Sequence, residues 1–212
     1  MKSFNLSAKF YIIFSLLFSI PSAYIANVLN IWLGDANFLK QLTSSGIIEA
    51  PTTIAILLLL FWVTDKWLWR IKFVNKLLGI PDINGRYTGT LTSSFDDTKT
   101  YSVVIEARQS LTKTIINLYT SNSSSYSLIA NIGKNNKDNW SLFYIYQNNA
   151  KTINQDGDMK DHTGVGFLEI FDNGKTLKGE YFNNSRDRGR FGIISVNLTS
   201  QKILGFFGDH KI

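Results

Sequence analysis

The chain has 212 residues, no cysteine, two histidines, and 22 Lys and Arg against 16 Asp and Glu, a formal net charge of +6. The missing cysteine excludes disulfides, thiol redox chemistry and cysteine-based metal clusters. The basic excess does not point to a DNA or RNA polymer, because 7 basic and 3 acidic residues precede Gly79 while 15 basic and 13 acidic residues lie from there onward. Membrane topology and anionic lipid account for an excess placed that way.

Residues 10–33 carry no charged side chain, and at 1.5 Å per residue such a run crosses a hydrocarbon core of roughly 30 Å. It predicts a transmembrane helix. A second apolar stretch, 47–63, is interrupted only by Glu49 and Pro51 near its start and predicts a shorter second span. Trp62, Trp67 and Trp69, with Asp65, Lys66 and Arg70 among them, form the kind of flank that prefers the headgroup layer. Lys2 and Lys9 precede the first segment, and Lys66, Arg70, Lys72 and Lys76 follow the second; between the two there is only Lys40. The positive-inside rule then places both termini in the cytoplasm of a multi-pass protein. A secretory signal peptide ending near Pro21-Ser22-Ala23 is the competing reading of the first segment. Against it stand the continuation of the apolar run to Trp32-Leu33 and the second segment behind it.

Ile80-Pro81-Asp82 marks the boundary between a membrane and juxtamembrane region, residues 1–78, and a second domain, residues 79–212. Beyond it the hydrophobic period becomes two. In 83–92 the odd positions are apolar or Gly and the even ones polar, the pattern of a strand with one buried and one wet face. It recurs at 101–108, 113–120, 126–132, 140–147, 164–171, 175–183 and 191–198, with a further candidate strand at 203–207. Asn173-Gly174, between two such runs, is the strongest hairpin signal. The expected fold is two N-terminal transmembrane α-helices plus an all-β domain, an antiparallel up-and-down β-barrel of about eight strands, with a sandwich as the alternative. Gly85 and Gly89 share a face with Tyr87, and Gly179 with Tyr181; inward glycines let a strand bend or leave room in a lumen.

Two histidines without cysteine make no metal site at ligand spacing. Asp156-Gly157-Asp158 with Asp161-His162 lacks the twelve-residue calcium pattern, and no nucleophile elbow, phosphate loop or dinucleotide fingerprint is present. No catalytic residue, metal or cofactor is expected, and the chain does not read as an enzyme. One of unrecognised type would need acid and base groups converging in the lumen, where the sequence offers chiefly Tyr and one His. The distinctive segment runs from Tyr181 through Asn183, Arg186 and Arg188 to Arg190. Arginine forks suit phosphate oxygens, aromatic faces stack on bases, and amides read base edges. The candidate ligand-binding residues are Tyr87, His162, Tyr181, Asn183, Arg186, Arg188 and Arg190. The same segment also reads as an exposed, charge-mixed hairpin loop.

Two apolar N-terminal segments, a basic flank, and a β-domain that opens with Gly85-Arg86-Tyr87-Thr88-Gly89-Thr90-Leu91 and closes through Leu177-x-Gly179-x-Tyr181-Phe182-Asn183 resemble a known architecture. It is that of the two-transmembrane β-barrel effectors of CBASS, the bacterial cyclic-oligonucleotide-based antiphage signalling system. The resemblance implies that a partner nucleotidyltransferase makes a cyclic dinucleotide and that the cytosolic barrel binds it. It further implies that the protein assembles as a homo-oligomer and disrupts the bacterial inner membrane, killing the infected cell (abortive infection). The competing function is a membrane-tethered lipocalin-like barrel that binds an apolar or lipid ligand.

Overall fold

Strands with one apolar face must bury it, and here they do so by closing on themselves. The computed structural model describes residues 2–3, 8–35, 53–94, 96–150, 161–184 and 190–208. Two compact units emerge, one of residues 5–74 and one of residues 1–4 with 75–212.

The larger unit holds a two-residue strand, β1 (Lys2–Ser3), and eight long ones: β2 (Gly85–Ser93), β3 (Asp96–Gln109), β4 (Thr114–Tyr119), β5 (Ser123–Lys134), β6 (Trp140–Ala150), β7 (His162–Phe171), β8 (Thr176–Asn183) and β9 (Arg190–Ser200). Each of the eight pairs antiparallel with its chain neighbour, and β9 returns to β2 through Tyr87↔Leu198, Gly89↔Val196 and Leu91↔Ile194. The result is a closed eight-stranded up-and-down barrel, which leaves no edge between its first and last strands. Gly89 and Gly179 sit where strands coil tightly: a β-carbon at either would lie 2.1 Å from a carbonyl oxygen of the adjacent strand.

One end of the barrel is sealed. Tyr87, Ile105, Leu142, Leu168, Leu177 and Ile194 fill it and are essentially inaccessible to solvent. The chain enters here, and the Ile83 amide donates to Gln109 Oε1 (2.9 Å) while the Gln109 and Asn84 backbone and amide groups bond reciprocally. The Asp172-Asn173-Gly174 turn joins β7 to β8 with positive φ at all three residues. Its Gly174 approaches so closely that a β-carbon would fall 2.2 Å from the Asp82 carbonyl oxygen.

The outer wall has two features of its own. Arg86 and Glu106 lie opposite one another in register, form an ion pair at 2.6 Å, and are both buried. The Arg86 guanidinium also donates to the carbonyl oxygens of Phe206 and Gly208, while the Leu204 and Gly205 amides donate to Glu106. Residues 203–207 are therefore not the further strand that their alternation predicts. Their backbone groups bond to an ion pair, not to a ladder, and they run as a tail strapped across the wall. Elsewhere on the outside, Ile129, Ile145, Val165, Phe182 and Phe191 stand opposite one another on five successive strands, β5 to β9, as an apolar row. Ile129, Phe182 and Phe191 are each more than half exposed.

The smaller unit contains α1 (Ala8–Asp35) and α2 (Thr53–Lys66). Within α1, Tyr11–Trp32 is long and apolar enough to cross a membrane, and Leu16, Leu17 and Ile20 expose more than 60% of their surface. Phe61 of α2 packs edge-on against Phe14 (5.4 Å between ring centres) and also against Tyr11. A second transmembrane helix is not shown: α2 has 14 residues, about 21 Å of helix, and most of the predicted run before it, residues 47–52, lies outside the described residues. A 3₁₀ turn (Leu68–Arg70) and α3 (Lys72–Leu78) follow.

Candidate functional site

The end of the barrel opposite the sealed floor is lined differently. Residues opposite one another on antiparallel strands face the same side, so Ser125↔Asn148, Asn148↔His162 and Asn183↔Arg190 place five polar side chains on the inner wall of strands β5 to β9. Asn183 Nδ2 lies 3.3 Å from His162 Nε2, and the Ser125 hydroxyl donates to Asn148 Oδ1 at 2.8 Å. The arc carries one permanent cation, Arg190, and hydrogen-bonding groups of both kinds.

Beneath it lie three tyrosines. Tyr144 and Tyr146 pack with ring centres 5.8 Å apart, and Tyr146 meets the His162 ring edge-on at 6.3 Å. Glycines on the next strand make room for them: a β-carbon at Gly166 would sit 2.3 Å from the Tyr144 ring, and one at Gly164 the same distance from the Tyr146 hydroxyl. Burial pushes the phenols of Tyr144, Tyr146 and Tyr181 up, and neighbouring tyrosines add to the effect, Tyr146 and Tyr181 at Tyr144, Tyr181 at Tyr146 and Tyr101 at Tyr181; opposing it, Asn183 hydrogen-bonds Tyr146, and Ser93 and Arg190 lower Tyr181. The phenols stay neutral at physiological pH and bring no negative charge into the cup.

Of the residues that the sequence nominates, His162, Tyr181, Asn183 and Arg190 come together at this end. Tyr87 does not join them. It belongs to the floor, where its hydroxyl donates to the carbonyl oxygens of Gly174 (2.5 Å) and Ile83 (3.1 Å), and burial raises its pKa, with Asp82 contributing. Arg186 and Arg188 lie outside the described residues. Sequence reasoning missed Ser125, Tyr144, Tyr146 and Asn148. The signal was available in the even positions of 140–150, an apolar and aromatic face interrupted by the polar Asn148, beyond the strand end expected at 147.

A closed barrel with a sealed apolar floor and a polar, cationic lining at the other end has the architecture of the ligand-binding up-and-down barrels. Comparison with known proteins narrows the class. The family model of the Cap15 cyclic dinucleotide receptor domain matches residues 78–198, and the chain belongs to that family, among the effectors of CBASS. CD-NTase-associated protein 15 of Yersinia aleksiciae is 30% identical to it over 134 residues. That alignment spans 62% of this chain and 62% of the relative.

Proposed function

We propose that the chain is a membrane-tethered antiphage effector in which residues 79–212 sense a cyclic dinucleotide and residues 1–78 act on the inner membrane. The observation that carries the sensing half is the polar arc from Ser125 to Arg190 above a sealed floor. A cyclic dinucleotide offers two phosphate charges and two base faces. Arg190 suits the phosphate, neutral phenols and amides suit phosphate oxygens and base edges, and the tyrosine rings offer stacking surfaces. A lipocalin-like reading asks for an apolar cup, and this one is polar on five successive strands.

The killing half rests on linkage. A ligand drives assembly only as far as it binds the assembled state better than the free one. The apolar row from Ile129 to Phe191 suits a second copy of the chain, and it surrounds the inner wall that the ligand occupies. The apolar surface of α1 suits lipid, with α2 and the segment before it completing a second crossing and leaving both termini in the cytoplasm.

The test is a titration of the full-length protein, in detergent micelles, with cyclic dinucleotides carrying adenine, guanine or uracil. Saturable binding is expected, and Arg190→Ala weakens it about ten- to a hundredfold, the worth of a charge-assisted hydrogen bond. Binding to none of the panel, together with uptake of a fluorescent fatty acid, would transfer the reading to the lipocalin-like alternative.

A further inference from the structure

The inner phase of β6 carries two buried polar atoms without a hydrogen-bond partner among the described residues, the Asn148 side-chain nitrogen and the Tyr144 hydroxyl. Their residues are 4% and 1% exposed. Such atoms cost stability unless something satisfies them, and a barrel that only needed a core would place Phe and Leu at these positions. The Asn148 carboxamide is held in one orientation: Ser125 Oγ donates to its Oδ1 at 2.8 Å, which leaves Nδ2 as a buried donor without a partner among the described residues. The cation of the cup, Arg190, is on β9, three strands away around the same wall. The two sides of the cup thus differ in chemistry, charged on β9 and neutral but hydrogen-bonding on β6.

We infer that Asn148, oriented by Ser125, and Tyr144 form the base-reading side of the cup, with Asn148 donating to a ring-carbonyl or ring-nitrogen acceptor of a nucleobase while phosphate lies toward Arg190. The inference rests on the cyclic dinucleotide reading above and adds to it the residues that determine which base is accepted. Neutral donors on rigid strands discriminate bases because each base presents its own pattern of donors and acceptors, whereas a phosphate contact is the same for all of them.

Salt separates the two roles. Neutralising a phosphate releases counterions, so affinity through Arg190 falls as salt rises, while a neutral contact to a base leaves that slope unchanged. In full-length protein, Asn148→Ala and Tyr144→Phe should each weaken binding of the best cyclic dinucleotide about five- to tenfold. The salt slope should stay at its wild-type value, and the preference among adenine, guanine and uracil ligands should narrow. Arg190→Ala should instead flatten the slope and preserve the preference. Asn148→Asp, which puts an acceptor where the donor was, should bind more weakly than Asn148→Ala. Tyr144→Phe keeps the test decisive if Asn148 variants fold poorly, because deleting an unpartnered hydroxyl leaves the thermal midpoint unchanged or raised. Wild-type binding with unaltered affinity and base preference in Tyr144→Phe and Asn148→Ala would overturn the assignment. Absence of binding by the wild type would count against the cyclic dinucleotide reading itself.

Discussion

Tyr87 and Tyr181 occupy similar Gly-x-Tyr sequences, yet their surroundings separate them. Tyr87 is tied by its hydroxyl to the turn that plugs the floor, while Tyr181 lies one row below Asn183 in the cup, with Ser93 and Arg190 beside it. Replacing Tyr87 by Phe removes two buried hydrogen bonds and leaves two carbonyls short of a donor. The thermal unfolding midpoint should fall, for a loss of about 1–3 kcal/mol, with cyclic dinucleotide affinity unchanged in a calorimetric titration. Arg190→Ala should give the reverse pattern, weak binding with a normal midpoint. Sequence made Tyr87 and Tyr181 alike because both fall on the inner phase of a strand that also bears glycine. Phase says which wall a side chain joins, and only the register of distant strands says how far along the lumen it lies. Asn148 was hidden for a related reason: it follows the last large apolar residue on the inner phase of its strand, Tyr146, and with only the small Ala150 beyond it the hydrophobic period is weak there.

At the level of elements, the eight alternating runs all became strands, since a period of two with polar turns between admits few other structures. Residues 203–207 alternate as well and formed none. The deciding interaction was the buried Arg86–Glu106 pair on the outer wall, whose free hydrogen-bonding capacity engages the tail's backbone; no local pattern in the tail announces that. The apolar outer row was legible one residue at a time but not as a row, because opposing Phe182 to Phe191 and Val165 requires the register. The association proposed above would use it. Phe182→Ser with Phe191→Ser should abolish ligand-driven oligomers in light scattering at saturating cyclic dinucleotide, while saturable binding persists at an affinity lowered by the share that assembly contributes, because both side chains lie on the outer wall. Oligomers of wild-type size in that double variant would show that the copies meet elsewhere.

The whole molecule joins a barrel with a complete core to helices that expose Leu16, Leu17 and Ile20. A domain of this size with its own core is expected to fold alone. A fragment of residues 79–212 lacks the short β1 pairing and the bonds of Asn75 to Gly79 and Ile80; it should be soluble, unfold cooperatively and bind cyclic dinucleotide saturably, yet cause no leakage of dye from vesicles. Vesicle leakage by the fragment would place the membrane activity in the barrel. Closure of β2 on β9 also fixes an order of events during synthesis. The ribosome delivers roughly 5–20 residues per second, and β2 stays an open edge until the partner of Tyr87, Leu198, has emerged. By then α1 and α2 have long been complete. Every new copy passes through an interval in which its apolar helices exist and its closed barrel does not. Under the function proposed above, harmlessness is then the default of the helices themselves, and association on demand is what the finished barrel would add.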